Sequence, residues 1–364
     1  MRLSSRFIKA SIELFGMTLL VLDLFYFRQG MLAGASLAYF AFDYLRYRRK
    51  AVLNFRKSKD LREGMTLQDI QSIERDYSLR EDFNSFEKHA QVRSPLDRYF
   101  YYEKYKRIRD LLHSYGSKGG LWLDLGCGFG EDTFYMVERL SQKAIGLELD
   151  EIKLSKALDK YQGPHCFPPV AFLVGDALHA PFQSQRFDTI LMTEVLEHLI
   201  HPEDGIKSCH LLLKEGGVLI LSTPSLHNLG YSINPFLILE KAISLLDDRV
   251  LPPYHGLHAQ FEYDWKRPEP RYGIHYHFSQ KGLSGILTRN QFQILWEGSF
   301  EIEIIPFLSM ELLAKGDVGR MRELVQPVER ILERVPLINR LGQHLLVVAQ
   351  KKPQSLRYHP QGET

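Results

Sequence analysis

Three carboxylates, Asp124, Glu148 and Asp176, each close a short apolar run: LWLD at 121–124, AIGLE at 144–148 and AFLVGD at 171–176. After the first of them come Gly126, Gly128 and Gly130 at alternate positions. Glycines at that spacing let the chain turn sharply and let a ligand touch backbone N–H groups. Several nucleotide and cofactor folds use such a triplet, so the flanking residues must discriminate. The dinucleotide pattern G-x-G-x-x-G needs a third glycine or a small substitute at position 131, where Glu131 stands. Asp124, two positions before the first glycine, suits a cationic ligand better than a pyrophosphate. Glu148 is placed to accept both hydroxyls of a ribose. Asp176 can accept an adenine amino group while Ala177 offers its N–H to the ring; the plainer alternative for Gly175-Asp176 is turn chemistry.

The elements that must position these groups alternate. Apolar runs at 121–125, 144–149, 170–174, 187–192, 216–223, about 292–298 and 344–351 read as strands. Helical patterns lie between them near 131–141, 151–160, 203–213 and 279–290. This order predicts an α/β fold: a seven-stranded Rossmann-like sheet, mostly parallel with the last strand antiparallel, and helices on both faces. Carboxylates ending three consecutive strands then fall along one crevice, where open α/β sheets bind ligands.

The form D-x-G-x-G-x-G made by Asp124, Gly126, Gly128 and Gly130 resembles the first motif of the class I S-adenosylmethionine-dependent methyltransferases. Further on, FDTILMTEVLEHLIHPEDGIKSCHLLLKEGGVLILSTPS (187–225) carries E-V-x-E-H and K-x-G-G. There the chain resembles the ubiquinone-biosynthesis O-methyltransferases and their small-molecule relatives, over about 121–300. The resemblance implies S-adenosyl-L-methionine as cofactor. It places Thr193 and Glu194 beside the methionine moiety and His198 near the reacting centre as a candidate base, with a structural histidine as the alternative. It also implies O-methylation of a small-molecule, lipid or lipid-linked acceptor, by resemblance alone. Two rivals are a nicotinamide-dependent oxidoreductase on a related sheet and a non-catalytic cofactor-binding scaffold at a membrane.

Composition is that of an ordinary globular protein, with 45% hydrophobic and 25% charged residues among 364. A net charge of +2 argues against a dedicated nucleic-acid binder. Cys127, Cys166 and Cys209 show neither C-x-x-C spacing nor a disulfide framework. Residues 1–59 differ from the rest: 11–27 and 31–45 are apolar, and basic residues flank both. Each run is shorter than the roughly 20 residues of a clean span and is interrupted by Glu13, Asp23 or Asp43. A secretory signal, a helical hairpin packed on the enzyme and a membrane-associated hairpin compete. The basic flanks favour the last, with the catalytic domain on the cytoplasmic face. Residues 60–118 read as a helical segment covering the cofactor, with Thr66 capping a helix over 67–76. Arg93, Tyr102 and Lys106 are candidates to meet the cofactor's carboxylate.

The catalytic domain is expected over 119–352, followed by a disordered polar tail over 353–364. Within it, 226–278 is an insertion that reads as an acceptor lid. A helix is expected over 234–246, with Leu237, Leu239, Ala242, Ile243 and Leu246 on its apolar side. The following aromatic run makes His255, His258, Tyr263, Trp265, His275 and His277 the candidate acceptor pocket. H-x-x-H and H-x-H could also ligate a metal, but the pattern marks no carboxylate or cysteine as a clear further ligand, and no metal is assigned.

Overall fold

The computed structural model describes residues 12–18, 35–49, 95–161, 170–228, 234–244, 276–302, 317–335 and 338–353, with a few isolated positions between them. Its centre is a seven-stranded sheet: β1 (Leu121–Leu125), β2 (Lys143–Glu148), β3 (Ala171–Val174), β4 (Phe187–Thr193), β5 (Leu213–Pro224), β6 (Phe292–Phe300) and β7 (His344–Lys351). In space the order is β3-β2-β1-β4-β5-β7-β6. The first five strands pair in parallel, and β7 inserts between β5 and β6, antiparallel to both. The expected antiparallel last strand is therefore present. Its register sets His344 against Pro224 and Phe300, at the carboxyl end of β5.

Period-two alternation distributes the core. Leu123, Leu125, Ile190, Met192, Leu219, Leu221, Leu345 and Val347 share one apolar cluster, and their neighbours Trp122, Leu191, Ile220 and Leu346 belong to another. Successive strand side chains point to opposite faces, so both faces of the sheet are apolar and both need helices. The described helices are α1 (12–18), α2 (35–49), α3 (Pro95–Tyr115), α4 (Glu131–Glu138), α5 (Glu151–Tyr161), α6 (Pro202–Leu212), α7 (Pro235–Ser244), α8 (Gln280–Arg289) and α9 (Val318–Leu332). Ile206, Cys209 and Leu212 of α6 with Leu283 and Leu287 of α8 cover the first face. Ile108, Leu111 and Leu112 of α3 with Met136 and Val137 of α4 cover the second.

The long excursion between β6 and β7 returns to α3. Asp317 caps α9 by accepting from Gly319 N at 2.7 Å and Arg320 N at 3.1 Å. Met321 and Val325 of α9 then pack on Leu96, Tyr99 and Phe100 of α3. Tyr99 donates to Glu329 at 2.8 Å, and Arg322 pairs with Glu103 at 3.0 Å.

Of the amino-terminal helices, α2 packs against the insertion. Phe40 of α2 is fully buried, and Asn234 Nδ2, at the start of α7, donates to its carbonyl at 3.0 Å. Tyr44 stacks on Phe236 at 5.9 Å, and Arg48 pairs with Glu240 at 2.9 Å. The described part of residues 1–59 is thus packed on the insertion. Among the described residues no helix is long and apolar enough to cross a membrane. The helix expected over 67–76 and the tail beyond 353 lie outside the described residues.

The inserted helix α7 is present, and its expected apolar side is divided between inside and outside. It buries Leu237, Glu240, Lys241 and Ser244, while Leu239 and Ile243 are exposed. Asn234 explains the start: its carboxamide oxygen accepts from Phe236 N at 3.1 Å. The polar side then turns inward because its partners, Arg48 and the Leu226 carbonyl, lie there.

Candidate active site

β1 and β4 are neighbours in the sheet although β2 follows β1 in sequence, so the chain leaves β1 on one side and returns on the other. Such a reversal opens a crevice at the strands' carboxyl ends. The loop after β1 fills its floor. Gly126, Gly128 and Gly130 all have left-handed φ, at 81°, 54° and 77°. A Cβ on Gly126 would meet Val195 Cγ2 at 2.3 Å, whereas one on Gly128 would meet nothing within 4 Å. Gly128 therefore borders open space, as a backbone meant to touch a ligand must.

Glu148 closes the loop from the next strand. Its carboxylate accepts from Gly128 N at 2.8 Å and Asp150 N at 3.0 Å. Asp124 is almost wholly buried and accepts from Thr133 Oγ1 at 2.6 Å. Burial, with the nearby Asp132 charge, pushes the Asp124 carboxyl up to about 8, against the opposing Thr133 hydrogen bond. Asp132 is pushed up to about 6 by burial and held from going further by Arg109, 3.2 Å away.

Asp176 lies beyond the end of β3, where it caps a 3-10 turn over Ala177–His179 by accepting from Leu178 N at 3.0 Å. Its other oxygen meets His179 Nδ1 at 2.7 Å. The turn role considered in the sequence is realised. Ala177 opens that turn, and its carbonyl accepts from Ser208 Oγ at 2.8 Å.

At the end of β4, Thr193 pairs with Ser222 in the β5 register, and Glu194 takes left-handed φ of 54°. A non-glycine residue there carries backbone strain that its contacts must hold. Ser222 Oγ donates to Glu194 at 2.7 Å, His344 Nε2 lies 3.1 Å away and Lys104 Nζ 3.5 Å. His344 Nδ1 in turn meets Glu301 at 2.6 Å, and Phe300 stacks on the imidazole. Burial alone would lower the His344 pKa, but Glu194 and Glu301 outweigh it and raise it to about 9. Burial would likewise raise Glu194; His344 and Lys104 overcome that and hold it well below the usual carboxylate range. Lys104, Glu194, His344 and Glu301 form an alternating chain of charges at the carboxyl end of β4.

Glu197 is buried beside them and accepts from Thr223 Oγ1 at 3.1 Å; burial and the Glu194 charge push its carboxyl well up. His198, last residue of a short 3-10 turn, is partly exposed, with Nε2 3.9 Å from Glu197.

Some expectations move. On α3 the residue that reaches the site is Lys104, with the Tyr101 and Tyr105 rings within 5.9 Å of its ammonium. Tyr102 and Lys106 were the expected pair; the helix face shared with buried Ile108 and Leu112 is instead that of 101, 104, 105. Arg93 lies outside the described residues. So do His255, His258, Tyr263, Trp265 and His275. His277 is half-buried between two core residues, Tyr276 and Phe278. These two aromatics are not part of a closing lid. Tyr276 N donates to Glu197 O, Tyr276 OH to Ile200 O, and Phe278 N to Pro224 O, which seals them under the 193–200 loop. His344, Glu301 and Ser222 escaped sequence reading, since only the sheet register joins them to Glu194.

Residues 123–221 match the family described as a methyltransferase domain. That segment is a class I S-adenosylmethionine-dependent methyltransferase domain. Norajmaline N-methyltransferase of Rauvolfia serpentina is 30% identical over 112 residues, 30% of this chain and 38% of that protein. Tocopherol O-methyltransferase of Arabidopsis thaliana is 28% identical over 108 residues, 30% of this chain and 31% of that protein. Phosphoethanolamine N-methyltransferase 1 of Zea mays is 31% identical over 100 residues, 28% of this chain and 20% of that protein. The chain thus spans well under half the length of these relatives. A solved methyltransferase structure from Methanosarcina mazei is similar at 20% identity and a TM-score of 0.45, over 67% of this chain and 98% of that one. The methyltransferase domain implies S-adenosyl-L-methionine as cofactor, and the residues fit it. Open space beside Gly128, the Glu148 carboxylate at the end of β2 and the buried Asp124 carboxyl fit a ribose and a cationic amino acid moiety.

Proposed function

We propose that the chain transfers a methyl group from S-adenosyl-L-methionine to an oxygen of a small-molecule or lipidic acceptor. The observation that carries this reading is the Gly128–Glu148 hydrogen bond, which holds a ribose-binding carboxylate across an open glycine loop beside buried Asp124. The bound cofactor supplies an already activated methyl group. What remains for the protein is to hold donor and acceptor in line and to exclude water. Glu148 and Asp124 hold the donor, with Asp176 and Ala177 at the base and Thr193 along the methionine side. Glu194, fixed by Ser222, His344 and Lys104, sets the acceptor edge. His198 takes the hydroxyl proton as general base.

Oxygen is preferred over nitrogen by the resemblance of the E-V-x-E-H stretch to the ubiquinone-biosynthesis type. The sequence nominates His255, His258, Tyr263, Trp265, His275 and His277 as the acceptor contacts. A nicotinamide cofactor fits less well, because Glu131 stands where the third glycine of that fingerprint belongs and pairs with Lys160 at 3.2 Å. The basic residues flanking the amino-terminal apolar runs hold the enzyme on the cytoplasmic face of a membrane. Labelled S-adenosylmethionine incubated with the protein and with extracted lipids, quinone precursors or lipid-linked sugars tests the reading. Label in an alkali-stable ether of one fraction is expected, and it should fall sharply in His198→Ala. Calorimetry showing NADH rather than S-adenosylmethionine binding would overturn it.

A further inference from the structure

Helices α2 and α7 are inside out. In water an amphipathic helix turns its apolar stripe inward and its polar side out. Here Glu13 of α1, Ser36 and Asp43 of α2, and Glu240 and Lys241 of α7 are all buried. The outward stripe of α2 is instead Ala38, Phe42, Leu45 and Arg49, at the i, i+4, i+7, i+11 spacing of one helix face. Phe42 is 67% exposed, Leu45 63%, and Leu239 of α7 58%, with Phe15 of α1 at 65%. The two helices run side by side, joined through Asn234–Phe40, Tyr44–Phe236 and Arg48–Glu240, three contacts spaced along both. Phe40 and Leu237 are buried between them, while Phe42, Leu45, Leu239 and Ile243 face outward.

We infer that α2 and α7 together form a single lipid-facing surface that seats the methyltransferase domain on an anionic bilayer. Polar-in, apolar-out packing is stable where the surroundings are hydrocarbon, since backbone and side-chain polar groups must then find partners internally. Charge selects the lipid. Arg46 and Arg49 are exposed at the end of α2, and Lys50, Arg56, Lys57 and Lys59 follow in a stretch without a single carboxylate before Asp60. Such clusters beside an interfacial helix attract anionic headgroups. The surface is tied to the catalytic edge: Lys241 Nζ donates to the carbonyl of Leu226, two residues beyond β5, and Leu226 N donates to Phe278 O beneath the 193–200 loop. This extends the membrane attachment proposed above from the amino-terminal stretch to the catalytic domain, and rests on that reading.

The test is flotation of the full-length protein with vesicles of phosphatidylcholine alone or mixed with phosphatidylglycerol. Wild type is expected to float with the mixed vesicles and to lose that binding in high salt. The double variant Leu239→Glu/Ile243→Glu, which leaves every amino-terminal residue intact, is expected to bind them at least about tenfold more weakly, as a factor of ten needs only about 1.4 kcal/mol. Its cofactor affinity, measured by calorimetry, should be unchanged and reports that the fold persists. If the double variant floats like wild type, the amino-terminal stretch alone attaches the protein and the inference fails, with attachment surviving. If wild type does not float, both fail. If light scattering shows a vesicle-free dimer that the double variant breaks, the face is a protein interface and the inference fails. Loss of cofactor binding in wild type would instead count against methyl transfer and leave the lipid result standing.

Discussion

The buried Asp124 carboxyl makes cofactor binding a proton-linked event. In the free protein burial and Asp132 push it up to about 8, although Thr133 Oγ1 donates to it at 2.6 Å. A cationic ligand group beside it favours the ionised form and should return the pKa to the ordinary carboxylate value of about 4. At pH 6 the free carboxyl lies about two units below its pKa, and ionising it costs about 2.7 kcal/mol. S-adenosylmethionine should therefore bind about a hundredfold more weakly at pH 6 than at pH 8 or above, with close to one proton released on binding. Calorimetry in buffers of different ionisation enthalpy measures both quantities. The cofactor's own α-amino group titrates in the same range, so Asp124→Asn is the control: its affinity should be lower at alkaline pH but should lack the tenfold-per-unit rise. The sign for folding agrees. A carboxyl whose folded pKa is raised loses stability as pH climbs from its unfolded value of about 3.9 towards about 8. The ligand-free melting temperature should fall over that window, and less so in Asp124→Asn. An affinity flat from pH 6 to pH 8 in wild type, or an equal slope in the variant, would refute the reasoning.

Three further outcomes follow from other contacts. Glu148→Ala removes the partner of Gly128 N and the ribose carboxylate together; cofactor affinity should fall roughly ten- to a hundredfold with the circular dichroism spectrum unchanged, and an unaltered dissociation constant would count against the crevice. His344, raised to about 9, contributes stability that is complete below its unfolded value of about 6.5 and is lost as pH rises through about 9. Wild type should accordingly lose melting temperature on the alkaline side, and His344→Asn should start lower and lack that loss; equal curves would show that Glu194 is not held by its charge. A chain beginning at Asp60 removes Arg48 from Glu240 and the Phe40 carbonyl from Asn234, so limited proteolysis should cut at α7 while cofactor affinity stays within about twofold. An uncut α7 would show that it stands without its amino-terminal partners.

The sheet and the donor half of the site were legible in the sequence because both depend on local patterns. Strands announce themselves by apolar alternation, a glycine loop by its spacing, and Asp124, Gly128 and Glu148 are joined by two consecutive strands and the turn between them. Thr193, Glu194 and His198 were found because E-V-x-E-H is contiguous. What escaped was set by chain segments far apart. His344 reaches Glu194 only because β7 slots between β5 and β6 in one register, and Lys104 rather than Lys106 faces the site because α3 is phased by Ile108 and Leu112 packing on the sheet. The facing of α7 was likewise not legible. An apolar stripe shows that a helix has two sides, but which side turns inward depends on what lies there, and Arg48, the Phe40 carbonyl and the Leu226 carbonyl are polar partners supplied by other parts of the chain. Composition and periodicity determine which elements form; tertiary contacts between distant segments decide the charges of the acceptor edge and which faces are left outward.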